Sequence, residues 1–356
     1  MQCGPDPPAI DRRAHKAMGP GAVGPGRRGL LVALLLAGVA GLLVAGLALW
    51  LHRPLDPRGG PQAFRVEAGE AGRTILMRLA HAGLIGRWEP LLLYARVTGA
   101  DREIQPGTYE LSAASPPITT LEKLVAGQVV LRRVTIPEGF VFTAILERLS
   151  ERLGLSPAVF REAAQDSAWR RSLGLPQGPL EGYLFPETYF FDPAVGPQRI
   201  LDELGRTCLA FFDRERMARA DDLGMTRHEI LTLASIIEAE AVLPRERARI
   251  SAVYHNRLRG GRLLQADPTV AYAVGRPGRP LALEDLKTPS AYNTYLHEGL
   301  PPGPICSPGR ASIQAALWPV EDCPDFYFVA RGDGSHVFSP NLEAHERARA
   351  AVRRGR

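Results

Sequence analysis

The longest apolar run in the chain lies near its N-terminus, at residues 29–51 (GLLVALLLAGVAGLLVAGLALWL). Its 23 residues carry no charge, so a helix of this length can cross a hydrocarbon core of about 30 Å. Basic residues precede the run, and the positive-inside rule therefore predicts a cytoplasmic tail at residues 1–28 and export of the chain that follows. A cleaved signal peptide is the alternative, but its apolar region usually has roughly 7–15 residues and a small-residue cleavage site, which LWLHRPLDP does not offer. We therefore predict an uncleaved single-pass membrane anchor.

A small α+β unit is predicted after the anchor. Residues 52–62 (HRPLDPRGGPQ) are rich in Pro and Gly, which favours an extended linker. Within residues 63–130, alternation predicts strands at 64–66 and 107–111, and helical spacing predicts helices at 74–82, 90–98 and 119–126. The β–α–α–β order and the size are those of a glycan-binding module of the LysM type, although many small α+β units share that order.

A larger α+β domain is predicted over residues 131–352. A strand and turn (TIPEGF) lead into a helix at 141–149, and residues 156–180 are predicted to be helical. The clearest helix start is a capping box, with Thr226 as N-cap and Glu229 at the third helical position. A second helix is predicted from Pro244 to the Gly260–Gly261 pair, and a third from Asp267 as N-cap. A helix ending at Trp318 and a hairpin at residues 325–339 follow.

Two glutamates lie near the end of the capped helix. The apolar positions Ile230, Leu233, Ala234, Ile237 and Ala241 predict one buried stripe, with Glu238 and Glu240 each about 80° to either side of it. The two carboxylates therefore cannot grip one substrate bond together. One can face a cleft while the other is solvated or pairs with an arginine, and spacing alone leaves open that both are ordinary surface residues. Glu187, in LFPET, is a further candidate carboxylate or a turn residue.

Polar and aromatic residues that suit a hydroxyl-rich ligand are concentrated in the Pro-rich loop 288–309. Tyr292, Asn293 and Tyr295 in this loop offer hydrogen bonds and ring faces to sugars, unless the loop only packs on its own prolines. The other binding candidates are Asn256 and Gln265, and Asp267 is either a ligand or a helix cap. His255 is a possible base, but a histidine predicted on an exposed helix flank is more often solvated.

Composition and charge narrow the class of protein. The net charge is +5, and residues 1–58 hold seven Arg/Lys against three Asp, so the rest of the chain is close to neutral. A broad cationic surface for nucleic acid is therefore excluded. Cys306 and Cys323 could pair, but nothing in their spacing requires it. No CxxC or HExxH motif is present and no P-loop opens a predicted helix, so we predict neither a metal nor a nucleotide cofactor.

Several motifs, taken together and in order, resemble the endolytic murein transglycosylase family, also called YceG-like. They are LEGYLFPETY (180–189), LASIIEAEA (233–241), VYHNRL (253–258), LQADPTVAY (264–272), the loop 288–309, ASIQAALWP (311–319) and the hairpin FYFVARGDGSHVFS. The resemblance covers residues 63–350 and the anchor topology. The sequence departs from the family pattern at Cys306, where a small residue is expected, and in segment 156–180.

The resemblance implies an enzyme of the bacterial cytoplasmic membrane that cuts nascent peptidoglycan strands within the chain and leaves 1,6-anhydro-muramic ends. It also implies that Glu240 is the catalytic acid, that no cofactor is needed, and that peptidoglycan synthases are potential partners. Two alternatives remain at this stage. A hydrolase would leave reducing ends, and a non-catalytic anchored protein would bind peptidoglycan or recruit synthases without cutting strands.

Overall fold

The computed structural model of the chain describes residues 25–354, so most of the predicted cytoplasmic tail, with Cys3, lies outside the described residues. The chain divides into two compact units, Met1–Gln128 and Val129–Arg356. This division falls two residues before the domain boundary that we predicted. The mixed helix and strand content confirms the predicted α+β class.

The N-terminal unit contains the anchor helix and the small α+β unit. Its elements are α1 (Pro25–Leu51), β1 (Pro61–Val66), α2 (Gly72–His81), α3 (Glu89–Thr98), β2 (Gly107–Ser112) and α4 (Pro117–Val125). The strands are antiparallel with Phe64 opposite Tyr109, and alternation buries Phe64, Val66, Tyr109 and Leu111 on one face. Within α1, Gly29–Leu51 is long and apolar enough to span a membrane.

The segment between α1 and β1 differs from the extended linker predicted at residues 52–62. The backbone N–H of Asp56 donates to the carbonyl oxygen of Ala113 at 3.0 Å, and Ser112 Oγ donates to the carbonyl oxygen of Gly59 at 2.7 Å. The last residues of the predicted linker already belong to β1. Proline and glycine therefore form turns here that are hydrogen-bonded to the small unit.

The C-terminal unit is mainly helical and contains two short antiparallel strand pairs. Its strands are β3 (Arg132–Thr135), paired with β4 (Thr188–Phe191), and β5 (Tyr327–Ala330), paired with β6 (His336–Ser339). Its helices are α5 (Phe142–Leu153), α6 (Pro157–Ala164), α7 (Ser167–Leu173), α8 (Pro197–Phe211), α9 (Arg214–Asp222), α10 (Arg227–Glu240), α11 (Arg247–Arg259), α12 (Asp267–Ala273), α13 (Arg310–Leu317) and α14 (Leu342–Arg354). The sequence patterns did not predict β4, α8, α9 or α14. Four residues are too few to show a strand period, and α14 buries no residue at all.

Helix α10 is the centre of this unit. The capping box is confirmed, since Glu229 Oε2 accepts the Thr226 N–H at 2.7 Å and Thr226 Oγ1 accepts the Glu229 N–H at 3.2 Å. The prediction of a single buried stripe, however, was wrong, because every residue from Ile230 to Ile237 is buried. Helices α11, α12 and α13 all pack against α10. A helix surrounded in this way is apolar around its whole circumference, and its end is held rigidly.

Two predicted helix starts differ in detail. The N-cap of α12 is Ala266, so Asp267 is the first helical residue rather than the cap. Pro244 begins a 3₁₀ turn, Pro244–Glu246, which precedes α11. In both cases proline still occupies the first turn, where its missing N–H costs nothing.

Candidate active site

Glu240 is the last residue of α10, and its carboxyl group contacts the neighbouring helix. The chain turns at Pro244–Glu246 and α11 packs on α10. This arrangement lets Tyr254 donate a hydrogen bond from its hydroxyl to Glu240 Oε1 at 3.0 Å. Tyr254 itself is 1% exposed, so the carboxyl group has a fixed partner inside the protein. The contact joins residues that are 14 positions apart in sequence.

Burial raises the pKa of Glu240 from its usual 4.5 to about 7. The hydrogen bond from Tyr254 opposes this shift because it stabilises the ionised carboxylate. The negative charge of Asp267 raises the pKa further, and the guanidinium of Arg257 lowers it. The result is a carboxyl group that is about half protonated near neutral pH and can therefore both give and take a proton.

Glu240 and Asp267 together lie at the junction of two cavities in the C-terminal unit. The Tyr272 cavity, of about 590 Å³, has mainly apolar walls that include Phe140, Ala271, Tyr272, Leu281 and Ile305. The Tyr295 cavity, of about 640 Å³, is more polar and is lined by Arg257, Gln265, Tyr295, Tyr327, His336 and Arg349, among others. Both cavities are lined by Glu240 and by Asp267. The two cavities together form the groove, in which a linear ligand can extend on both sides of the acid.

Two of the residues predicted to bind sugar lie in this groove. Gln265 and Tyr295 line the Tyr295 cavity, and the Tyr295 hydroxyl donates to Asp267 Oδ1 at 2.6 Å. Gln265 has a φ of 46°, a left-handed conformation that is uncommon outside glycine. Tyr292 packs on Tyr272 with ring centroids 5.0 Å apart and supports the wall of the other cavity.

Two other predicted ligands, Asn256 and Asn293, are engaged in holding the backbone. Asn256 Nδ2 donates to the carbonyl oxygens of Cys323 and Asp325, both at 2.8 Å. Asn293 is fully buried, donates to the carbonyl oxygens of Leu286 (3.0 Å) and Thr288 (2.9 Å), and accepts the Tyr295 N–H at 3.0 Å. The structure thus does not bring these amides to the groove. Asn293 instead fixes the loop that carries Tyr295.

The remaining predicted carboxylates lie outside the groove. Glu238 Oε2 accepts the Gly309 N–H at 3.0 Å, and Glu238 Oε1 lies 3.5 Å from Arg247 Nη2. Glu187 is exposed and forms an ion pair with Arg310 at 3.1 Å. The N–H of Thr188 and the Arg310 guanidinium hold the pKa of Glu187 below its usual value. The two glutamates of α10 therefore face different surroundings.

One further expectation is corrected, and the pairing of two cysteines, which the sequence left open, is not found. His255 is buried and not exposed, and its Nε2 lies 2.8 Å from the carbonyl oxygen of Ala316. Burial lowers the pKa of His255, so it is a neutral structural side chain. Cys306 and Cys323 are both free thiols, and the Cys306 thiol donates to the carbonyl oxygen of Ser235.

A buried glutamate that sequence reasoning missed stands behind the Tyr272 cavity. Glu181 is 5% exposed, and it accepts the Phe142 N–H at 2.7 Å and the Tyr272 hydroxyl at 3.3 Å. Burial raises its pKa to about 7. Its signal in the sequence was an acidic residue between apolar ones in LEGYLF, which we did not read as burial.

The raised pKa of Glu181 predicts a pH-dependent stability. Between pH of about 4.5 and 7 the folded state holds a proton that the unfolded state releases, so this group makes stability fall as pH rises. Glu181→Gln keeps the size and removes the titration. We therefore expect the variant to gain up to about 3 kcal/mol over the wild type at pH 8, and little at pH 4.5. Denaturant unfolding at both pH values measures this, with the exposed Glu162→Gln on α6 as control. An equal effect at both pH values would contradict the assignment.

Comparison with known proteins agrees with the motifs. A model of the YceG-like family matches residues 64–351. The chain is 32% identical to the endolytic murein transglycosylase of Bacillus subtilis over 306 residues, which are 80% of this chain and 83% of the relative. It is 28% identical to the endolytic murein transglycosylase of Streptococcus pneumoniae over 324 residues, and the match spans 81% of this chain and 57% of that longer protein.

A solved structure is also similar. The crystal structure of a YceG-like protein from Listeria monocytogenes superposes with a TM-score of 0.57 and 30% sequence identity. The match covers 82% of this chain and 99% of the crystallised one. The common fold therefore includes most of both units described above.

Proposed function

This chain belongs to the YceG-like family, and from that premise we propose that it is an endolytic murein transglycosylase with Glu240 as its catalytic acid and base. Its substrate is the glycan strand of peptidoglycan. The observation that carries the assignment of Glu240 is its position between two cavities, with a pKa near neutrality. Because a strand can occupy both sides of the acid, cleavage within the strand needs no free end.

The reaction has two proton transfers through one carboxyl group. Neutral Glu240 gives its proton to the oxygen that leaves muramic C1, and the bond between that oxygen and C1 breaks. The carboxylate then takes the proton of the C6 hydroxyl of the same ring, and O6 bonds to C1 to form the 1,6-anhydro sugar. An intramolecular hydroxyl has a high effective concentration, which favours it over water. A second catalytic carboxylate, as in ordinary glycosidases, is therefore not required.

The groups around Glu240 support this double role. Tyr254 holds Oε1, so we assign the proton transfers to Oε2. Asp267 adds a negative charge beside a reaction centre that becomes positive in the transition state. Arg257 donates to the carbonyl oxygens of Leu264 and Phe326, both at 2.7 Å, and so ties the loop before α12 to the strand pair β5–β6.

Tyr254→Phe tests whether protonation of Glu240 sets the pH dependence of strand cleavage. The tyrosine hydroxyl stabilises ionised Glu240, so its removal raises the pKa of that carboxyl group. The acid must be protonated to act, and we expect the fall in rate on the alkaline side to shift to higher pH. The measurement is the pH profile of strand cleavage. Tyr183→Phe is the control, because that hydroxyl bonds His228 at 2.8 Å, outside the groove. An unshifted profile in Tyr254→Phe would count against Glu240 as the titrating group.

Product analysis tests the reaction class. Purified full-length protein in detergent should release fragments from the interior of glycan strands that end in 1,6-anhydro-muramic acid. These fragments are lighter by one water than the products of a hydrolase, so mass spectrometry separates the two. Binding of strands without cleavage would favour the non-catalytic alternative instead.

The cellular setting is proposed on the same premise. We place Gly29–Leu51 across the cytoplasmic membrane, with residues 1–28 inside and both folded parts outside, where peptidoglycan lies. A peptidoglycan synthase is the partner that would supply nascent strands, and the small unit at residues 63–130 is a candidate glycan-binding module. Protease added to intact spheroplasts should digest the C-terminal unit. Protection of that unit would indicate the opposite topology.

A further inference from the structure

The end of the anchor helix is covered on one side by protein. Residues from Leu30 to Leu36 are exposed, whereas Leu47 and Trp50 are half-buried and Leu51 is 4% exposed. Positions 47, 50 and 51 lie on one face of a helix. The small unit therefore packs against the last turn of α1 and is held by it.

Helix α3 lies beside this covered face. Leu43, Val44 and Leu47 of α1 line a shallow cavity of about 490 Å³ together with Pro90 and Leu93 of α3. At 1.5 Å per residue, Leu47 is about 6 Å and Leu43 about 12 Å below the end of the helix at Leu51. If α1 spans the membrane from Gly29 to Leu51, that depth belongs to the outer leaflet.

The exposed large apolar side chains of residues 52–128 lie on or near α3. Within residues 52–128 the large apolar side chains that are exposed are Leu55 (49%), Leu93 (58%) and Val97 (80%). Leu93 and Val97 are four residues apart on the outer face of α3, opposite the buried Leu91, Leu92 and Ala95. Leu55 lies near the loop before α3, since a Cβ built on Gly86 would be 3.6 Å from Leu55 Cδ1.

Basic and aromatic side chains, which a lipid surface favours, lie on α3 and just before it. Arg96 is exposed on the outer side of α3, and Arg87, just before the helix, is exposed and lies 3.6 Å from the Glu89 carboxylate. Trp88, at the N-cap of α3, lies under the guanidinium of Arg73 at 5.3 Å. Amphipathic helices with Leu and Trp on one side and Arg on the other insert about 5–10 Å into the interface and contact anionic headgroups.

We infer that the outer face of α3, formed by Leu93 and Val97 with Leu55 beside it, is seated at the boundary between headgroups and acyl chains of the outer leaflet. The occupant of this face is the bilayer that α1 spans, so the inference rests on the proposed anchor. The small unit is then not a freely swinging module. It is held at the membrane surface, where newly made strands emerge.

Spin labels test this inference in the full-length chain. Cys3→Ser and Cys323→Ser remove two thiols, and the other two cysteines, Cys208 and Cys306, are buried. A nitroxide is then placed at Leu93→Cys or Val97→Cys, and at Glu110→Cys as control. Glu110 is exposed on β2 between the buried Tyr109 and Leu111, so it points away from the core face. Each protein is reconstituted in vesicles of phosphatidylethanolamine and phosphatidylglycerol.

We expect the labels at 93 and 97 to collide frequently with oxygen, which concentrates in lipid. Their collisions with a water-soluble nickel chelate should be several-fold less frequent than those of the label at 110. Nickel accessibility at 93 and 97 equal to that at 110 overturns the inference. Dipolar broadening between labels at 97 also overturns it, because a second copy would then cover the face. Flotation after alkaline carbonate extraction tests the anchor separately. If the chain floats with the vesicles and nickel accessibility at 93 and 97 equals that at 110, only the α3 inference fails. If the chain is washed off the vesicles, the proposed anchor fails as well.

Discussion

Glu240→Gln is expected to reduce the release of anhydro-muropeptides by about 10²–10⁴-fold, the usual contribution of a general acid or base. Glutamine keeps the size of the side chain, and its carbonyl oxygen can still accept the Tyr254 hydroxyl. The fold should therefore be preserved while the transferable proton is lost. The measurement is the initial rate of anhydro-end formation on purified glycan strands, with circular dichroism to verify folding. Release at the wild-type rate would end the assignment of Glu240.

Glu238→Gln is the matched comparison on the same helix. Glu238 accepts the Gly309 N–H and faces Arg247, so its replacement weakens packing between α10 and the start of α13. We expect a lower melting temperature and a far smaller loss of rate per folded molecule than in Glu240→Gln. The exposed Glu162→Gln should change neither quantity. The reverse order, with Glu238→Gln inactive and Glu240→Gln active, would move the acid to the first glutamate of the pair.

Gly182→Ala is expected to give the largest loss of stability. Gly182 has a φ of +81°, and a Cβ built there would lie 2.5 Å and 2.6 Å from the Cβ and Cγ atoms of Pro304. The left-handed backbone costs roughly 1–2 kcal/mol for an L side chain, and overpacking against a rigid ring costs roughly 1–3 kcal/mol more. Together these terms predict about 2–5 kcal/mol, or a melting temperature lower by about 4–20 °C for a unit of this size.

Gly174→Ala separates the two causes. Gly174 also has a positive φ, of 65°, but no heavy atom lies within 4 Å of a Cβ built there. It should therefore lose only the backbone term, roughly 1–2 kcal/mol. Thermal unfolding of the detergent-solubilised chain compares the two variants. Equal losses would show that Pro304 gives way. Gly182→Ala should also reduce activity, because Ile305 and Cys306, next to Pro304, line the Tyr272 cavity.

Local sequence patterns predicted the elements whose stabilising residues lie close together in sequence. The capping box before α10 joins Thr226 and Glu229, and the hairpin β5–β6 closes over a short Gly-Asp-Gly turn. The strands and helices of the small unit were likewise predicted to within a few residues. In contrast, β4 pairs with β3 across more than fifty residues, and no local pattern indicates that partner.

The residues of the candidate site also differ in whether the sequence could predict them. The motifs singled out Glu240 and the loop that carries Tyr295, because those residues stand in long characteristic stretches. The same reading could not separate Tyr295 from Asn293, two positions apart, although one lines the groove and the other holds the loop. It also missed Glu181, since whether a carboxylate is solvated depends on which distant segments cover it.

The sequence by itself determined the apolar segment that can cross a membrane, the start of α10, the α+β class and the family. All of these depend on residue order over short distances, because helix caps, turn residues and hydrophobic periods act between near neighbours. Only the tertiary structure decided that α10 is buried on every side, that Tyr254 holds Glu240, and that two cavities meet at this carboxyl group. The pKa of a buried acid depends on desolvation and on charges brought close by folding, and these are properties of packing that no stretch of sequence contains.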